Sequence, residues 1–234
     1  LGPTGVELQP LSPEHRAIDR IEIDYTPGQR PKKWLAFLDD CFKDDDDAEQ
    51  KKLFIQEFWG ACLTGVVTDY QRGVIMLGVG KNGKSTLIEV MTASFPSDTV
   101  KTIPPQEMDQ EYRRAELASA RLNTTSELPE ADILASESIK GIISGDKMSG
   151  RFPYQPLFAF HPHAGHIYGA NNMPSVRDNT DGFYRRWVVL GFNTAIPKAK
   201  QIQRYSKTLI KMELAAIIAW ALEGAVRLQA QGDY

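Results

Sequence analysis

Apolar positions repeat with a helical period through the first third of the chain and switch to short runs separated by turns from about residue 69. In residues 31–43, PKKWLAFLDDCFK, the residues Trp34, Leu35, Leu38 and Phe42 share one helical face. A second helix follows, in which Phe54, Phe58 and Cys62 recur every four residues while Lys51, Lys52, Gln56 and Glu57 fall mostly off that line. The acidic run Asp44–Asp47 between them reads as a solvated cap for the positive end of the second helix.

Beyond residue 69 the pattern predicts strands near 74–77, 98–103, 121–126, 166–170 and 187–191, with helices near 84–94, 106–118 and 131–143. Alternation of this kind implies an α/β fold: a five-stranded, mostly parallel sheet with helices on its faces. The stretch SGRFPYQPLFAF, residues 149–160, fits an inserted hairpin. In the tail, residues 208–230, Leu214, Ile217, Ile218, Ala221, Leu222, Ala225 and Leu228 line one helical stripe. The chain therefore divides into an extended Pro- and Gly-rich segment (1–30), a helical collar-like segment (31–68), an α/β core (69–193) and a C-terminal helical segment (194–234).

Composition narrows the class without naming a function. With 234 residues and 42% hydrophobic content, the chain is long enough for one good core and a helical annex. No apolar run approaches the roughly 20 residues that span a bilayer, and the start lacks a signal-peptide pattern. Cys41 and Cys62 have no metal-ligand spacing and read as reduced core thiols of an intracellular protein. A net charge of −3 gives no global nucleic-acid signature, although a few channel residues suffice for a ring. The chain opens at Leu1 and reads as a piece of something longer.

The chemistry begins at residues 73–86, GVIMLGVGKNGKST, where a strand runs into the phosphate-binding pattern G-x-x-x-x-G-K-[ST]. Glycines let backbone N–H groups turn inward around phosphates, and the following helix points its positive end at the same charge. Gly78, Gly80, Lys81, Asn82, Gly83, Lys84, Ser85 and Thr86 are the candidate nucleotide residues. Lys84 would reach the β- and γ-phosphates of ATP, and the Ser85 hydroxyl would hold Mg²⁺. Kinases, GTPases and motors share this loop, so it fixes the ligand and leaves the work undecided.

Three further stretches bear on that work. In ARLNTTSELPE (120–130), Glu127 ends a strand at the sheet edge where ligands of open α/β sheets bind, and is a candidate for positioning water. A surface glutamate capping the next helix is the other reading, with Glu130 and Asp132 in reserve, and Ser126 stands where an aspartate commonly holds magnesium. In HIYGANNMP (166–174), Asn171 sits at a strand tip. In DGFYRRWVVLGF (181–192), Arg185 and Arg186 enter an apolar strand. Near the hairpin turn, Lys147 and Arg151 suit a nucleic-acid backbone and Tyr154 suits base stacking; a rigid hairpin with inward aromatics reads equally well. His161, His163 and His166 lack a cysteine partner and read as turn residues.

The ordered set GVGKNGKST, ARLNTTSELPE, IKGIISGDKMSGR, GANNMP and GFYRRWVVLGF resembles the superfamily-three helicases. More narrowly, it is similar to the C-terminal helicase domain of phage, plasmid and poxvirus primase-helicases, over about residues 31–232. The resemblance implies an AAA+-like three-layer P-loop fold and an ATP-dependent replicative helicase acting on single-stranded DNA, 3′ to 5′. It implies a hexameric ring, a primase or polymerase domain on the same full-length chain, and an intracellular location, the cytoplasm of a bacterial host if the chain is phage- or plasmid-encoded. By the same likeness Glu127 activates water, Asn171 senses the γ-phosphate, and Arg186, with Arg185 as runner-up, is supplied to the adjacent subunit. The alternatives are an ATP-dependent DNA-binding initiator or loader, and a P-loop kinase.

Overall fold

Five strands, β1 (Gly73–Leu77), β2 (Val100–Lys101), β3 (Leu122–Thr125), β6 (Gly165–Ala170) and β7 (Trp187–Gly191), form one sheet in the order β2-β3-β6-β1-β7. All four pairings are parallel, as expected of strands joined by helical crossovers. The computed structural model describes residues 5–7, 9–10, 12–15, 20–128, 137–174 and 181–234. The expected α/β class and all five expected strands are present. Between β3 and β6 lies a separate antiparallel hairpin, β4 (Met148–Gly150) and β5 (Phe158–Phe160).

Among the described residues seven α-helices flank these strands: α1 (Lys32–Phe42), α2 (Ala48–Thr64), α3 (Lys84–Thr92), α4 (Glu111–Ala115), α5 (Glu137–Ile143), α6 (Asp181–Tyr184) and α7 (Tyr205–Gln231). The strand period of two splits the core. Val74 and Met76 face a cluster built with α1, α2, α3 and α7. Ile75 and Tyr168 face a second cluster with Leu117, Ile142, Phe183 and Trp187. Among the described residues no helix is long and apolar enough to cross a membrane.

The helical segments at the two ends of the sequence pack as one layer. α2 and α7 approach closely because Gly60 and Gly224 face the partner backbone: a Cβ on Gly60 would lie 2.1 Å from the Ala221 carbonyl oxygen. This packing overturns the expected polar face of α2. Gln56 Nε2 donates to the Trp220 carbonyl at 2.6 Å, Arg227 pairs with the buried Glu57 at 2.6 Å, and Lys51 is buried as well. In α1 the buried face runs through Trp34, Phe37, Leu38, Cys41 and Phe42, with Leu35 only at its edge. The N-terminus of α1 is capped from α7, where Glu213 accepts the N–H groups of Lys33 and Trp34 at 3.0 and 2.9 Å.

The Asp44–Asp47 run is not a helix cap: Asp47 precedes α2 without a side-chain capping bond. Asp45 instead pairs with Lys51 at 2.8 Å and accepts from Asn193 at 3.0 Å. Burial pushes its carboxyl pKa up, and the bonds from Lys51 and Asn193 more than reverse that, leaving it lowered. The expected helix at 106–118 is broken into single-turn pieces around α4, with Pro104 and Pro105 at its start. Of the helix expected at 131–143, residues 131–136 lie outside the described residues.

The polar character of β3 has a local cause. The Asn123 carboxamide accepts from the Ile103 N–H at 2.8 Å and donates to the Ile103 carbonyl at 2.9 Å, so a side chain continues the pairing where β2 stops. Asn123 also donates to the Tyr168 hydroxyl at 2.9 Å, which lies 3.0 Å from His166 Nδ1. Burial lowers the His166 pKa from its ordinary 6.5 to about 4. The unfolded chain takes up a proton that the folded ring refuses. This contribution to stability is therefore complete above about pH 6.5 and is lost as pH falls toward 4, by about 2 kcal/mol at pH 5. Thermal unfolding near pH 7.5 and near pH 5 should show a drop about 2 kcal/mol smaller for His166→Asn than for the parent. Equal drops would mean that this imidazole does not titrate on unfolding.

Candidate nucleotide site

At the carboxyl edge of the sheet, β1 runs into residues 78–83 and then α3. Gly80 and Gly83 have φ of 33° and 98°, and Lys81 also adopts a left-handed φ of 58°. Gly83 tolerates no side chain, since a Cβ would lie 2.4 Å from the Cys41 sulfur of α1 and 3.1 Å from Phe37. Asn82 is buried and donates to the Phe192 carbonyl at 3.0 Å, while the Ile196 N–H donates to the Lys81 carbonyl at 3.0 Å. The loop is thus clamped between α1 and the segment after β7.

Lys84, 6% exposed, donates to the Gly78 carbonyl and, at 3.1 Å, to Asn82 Oδ1. Burial lowers its pKa, and the nearby Glu127 carboxylate opposes that shift. A desolvated ammonium resting on neutral oxygens is suited to a polyanion. The cavity above it, about 350 Å³, is lined by Gly80 through Thr86 and by Ser126, Glu127 and Asn171. All eight candidate loop residues except Gly78 line this cavity, and Gly78 accepts from Lys84.

Glu127 and Asn171 come from neighbouring strands. The Leu128 N–H donates to the Gly169 carbonyl at 2.7 Å, which fixes the chain just past Glu127. Asn171 Nδ2 donates to Glu127 Oε1 at 2.7 Å. Both candidates therefore face the loop, 44 residues apart in sequence and hydrogen-bonded to each other. The reserve candidates Glu130 and Asp132 lie outside the described residues.

The residues present fit ATP with Mg²⁺: an inward-turned loop, a buried lysine, a helix N-terminus and the exposed Ser85 hydroxyl at one cavity. A second cleft of about 290 Å³ shares Lys81, Gly83 and Thr86 with the first and has walls of Phe37, Ile196, Ile202 and Tyr205. It was not legible in the sequence, because its walls come from α1, the loop and the start of α7.

The arginine pair lies elsewhere. β7 is parallel to β1 with Gly73 opposite Trp187, so Arg185 and Arg186 stand at the edge where β1 begins. The loop stands where β1 ends, about 16 Å away at strand rise. Arg186 is held in its own subunit, Nε donating to Ser144 Oγ at 3.0 Å and Nη1 to the Gly182 carbonyl at 2.6 Å. The Arg185 side chain is exposed and makes no hydrogen bond or ion pair with a described residue. Arg186 is thus engaged within its own chain, whereas the Arg185 guanidinium is not.

The hairpin residues also separate. Lys147 is exposed. Arg151 is occupied, pairing with Glu111 at 3.1 Å and lying 5.4 Å from the Tyr112 ring centre. Tyr154 is fully exposed at the tip with φ 61°, while Phe152 and Phe158 stack on each other at 5.5 Å. Of the histidines, His161 lies 3.1 Å from the Gly145 carbonyl, and the described residues contain no metal-binding cluster of histidine, cysteine or carboxylate.

Comparison with known proteins agrees on fold. Residues 76–186 match DUF5906, a family of unknown function. No curated protein matches the chain. An apo structure of the NrS-1 C-terminal region superposes with a TM-score of 0.67 at 15% identity, covering 88% of this chain and 50% of that one. A second apo structure of that region gives 0.64 at 14%, with the same coverage of 88% and 50%. A JCV helicase structure superposes more loosely, at 0.45 and 12% identity, over 83% of this chain and 54% of that one. The chain spans about half the length of the solved structures it matches. The sheet with its flanking helices is the shared feature.

Proposed function

We propose that the chain is the helicase domain of a replicative primase-helicase: a ring-forming ATPase that moves on single-stranded DNA, 3′ to 5′. The observation that carries this reading is the hydrogen bond from Asn171 to Glu127 over the phosphate loop. A carboxylate for water and an amide for the terminal phosphate at one cavity are what triphosphate hydrolysis needs beyond binding.

The residues divide the work. Backbone N–H groups of residues 80–86 and the Lys84 ammonium would hold the β- and γ-phosphates, and the Ser85 hydroxyl would hold Mg²⁺, which when bound would supply charge neutralisation. The cleft lined by Phe37, Ile196, Ile202 and Tyr205 takes the base against apolar walls. Asn171 turns its amide from Glu127 to the γ-phosphate, and Glu127, so released, accepts the proton of the attacking water. Arg185 of an adjacent copy supplies the remaining positive charge. Hydrolysis is passed to DNA through the hairpin, whose tip presents Tyr154.

The hairpin is firmly coupled to the core. Arg114 Nε donates to the Ser149 carbonyl at 2.7 Å, Arg151 pairs with Glu111, and Gly150 seats on Ala115 of α4. A forked duplex with a 3′ single-stranded tail, ATP and the protein tests the reading: strand displacement and hydrolysis stimulated by single strands are expected. Tyr154→Ala should lower affinity for single strands about tenfold, the worth of one stacked base. Stimulated hydrolysis with no displacement on any fork would favour an initiator or loader instead. Phosphate transfer to a small acceptor would favour a kinase.

A further inference from the structure

The chain has a net charge of −3, yet residues 193–212 contain five Lys and Arg and no Asp or Glu. In the structure Lys198, Arg204, Lys207 and Lys211 are exposed, and none forms an ion pair with a described residue. Lys207 and Lys211 lie four residues apart, which sets them in one row along the exposed side of α7's first turns, and Arg204 precedes the helix with a left-handed φ of 56°. The α1 N-terminus adds the exposed Lys32 and Lys33. It is held beside the same turns by Glu213 and by the Tyr205 hydroxyl, which lies 3.4 Å from the Lys33 carbonyl. The carboxylate of Glu213 is itself engaged by two backbone N–H groups.

We infer that this basic face, where α1 meets α7, binds the phosphate backbone of single-stranded nucleic acid. The inference rests on single-stranded DNA as the substrate and assigns a charged interaction that the hairpin tip does not supply. Along α7, Lys207 and Lys211 are separated by a rise of about 6 Å, a spacing suited to successive phosphates of one strand. The hairpin tip, by contrast, is aromatic and uncharged: Tyr154 is free, whereas Arg151 is tied to Glu111. A neutral tip can stack bases but cannot neutralise phosphates. The face borders the base cleft through Ile202 and Tyr205, at the carboxyl edge of the sheet, while the hairpin leads into β6 at the amino edge. One strand thus meets two unlike surfaces, charged at one end of the core and stacking at the other.

The test compares the parent with K33Q/K207Q/K211Q. These are exposed positions on helices where glutamine is tolerated, and circular dichroism verifies the fold. Anisotropy of a labelled oligothymidylate of about 25 nucleotides is measured from about 50 to about 300 mM salt. The triple variant should bind at least about tenfold more weakly at the lowest salt, and its log K against log salt slope should shrink by about 2, roughly 0.7 for each phosphate no longer neutralised. Tyr154→Ala should weaken binding at every salt concentration with the slope unchanged. Equal affinity and slope for parent and triple variant would overturn the assignment and leave the helicase reading standing. A parent that fails to bind the oligonucleotide would sink both. Binding to vesicles containing phosphatidylserine, abolished in the triple variant while oligonucleotide binding is unaltered, would make the face a membrane-binding surface instead.

Discussion

Replacing Glu127 by glutamine should leave nucleotide binding intact and cut hydrolysis by about 10²–10⁴-fold, the range for loss of a positioned general base. Glutamine keeps the side chain's length and an oxygen that can still accept from Asn171, so the local geometry survives. What disappears is the negative charge that takes a proton from water. Lys84, buried and resting on Gly78 and Asn82, loses the nearby carboxylate charge but keeps both of these bonds and still meets the phosphates. Fluorescent-nucleotide titration should therefore give a dissociation constant within about threefold of the parent, beside a kcat near background. Loss of binding in proportion to hydrolysis would make Glu127 part of the binding shell and remove it as base. Undiminished turnover would pass the role to another carboxylate.

Much of the fold was readable because it is carried by periodicity. Strands β1, β6 and β7 distribute their apolar residues between two helical layers, and that alternation is local to each strand. What failed to show was every feature made by distant partners. Gln56 and Glu57 look like a solvated face until α7, about 165 residues later, covers them. Asn123 looks like a poor strand residue until its carboxamide is seen completing the pairing of β2. The phosphate loop was legible because its chemistry lies within a dozen consecutive residues. The base cleft was not, since Phe37 and Tyr205 lie 168 positions apart by their own numbering. The arginines show the limit most sharply. Two adjacent identical residues carry the same pattern, and only their neighbours, Ser144 and the Gly182 carbonyl for one and solvent for the other, distinguish them.

That difference yields opposite expectations for two neighbouring substitutions. Arg185→Ala should lower hydrolysis by about 10³-fold or more, the effect of removing an arginine that reaches a phosphoryl group, with no change in thermal stability. Arg186→Ala should instead destabilise the fold by about 1–2 kcal/mol, because it strips the bonds joining β7 to α5 and α6. Its hydrolysis at a temperature where it remains folded should stay within a few-fold of the parent. Since Arg185 lies at the sheet edge away from its own phosphate loop, it can act only on a neighbour's nucleotide. Mixing inactive Arg185→Ala with inactive Lys84→Ala subunits should then restore activity. An interface pairing an intact loop from the first with an intact arginine from the second is complete, and random mixing makes roughly a quarter of interfaces so. A mixture as inactive as its components, under conditions where mass measurement shows mixed oligomers, would exclude Arg185 as the residue acting across the seam. If Arg186→Ala subunits were the ones rescued, the guanidinium now bound to Ser144 must swing free on assembly, and the order inferred from the motif would stand over the one inferred from geometry.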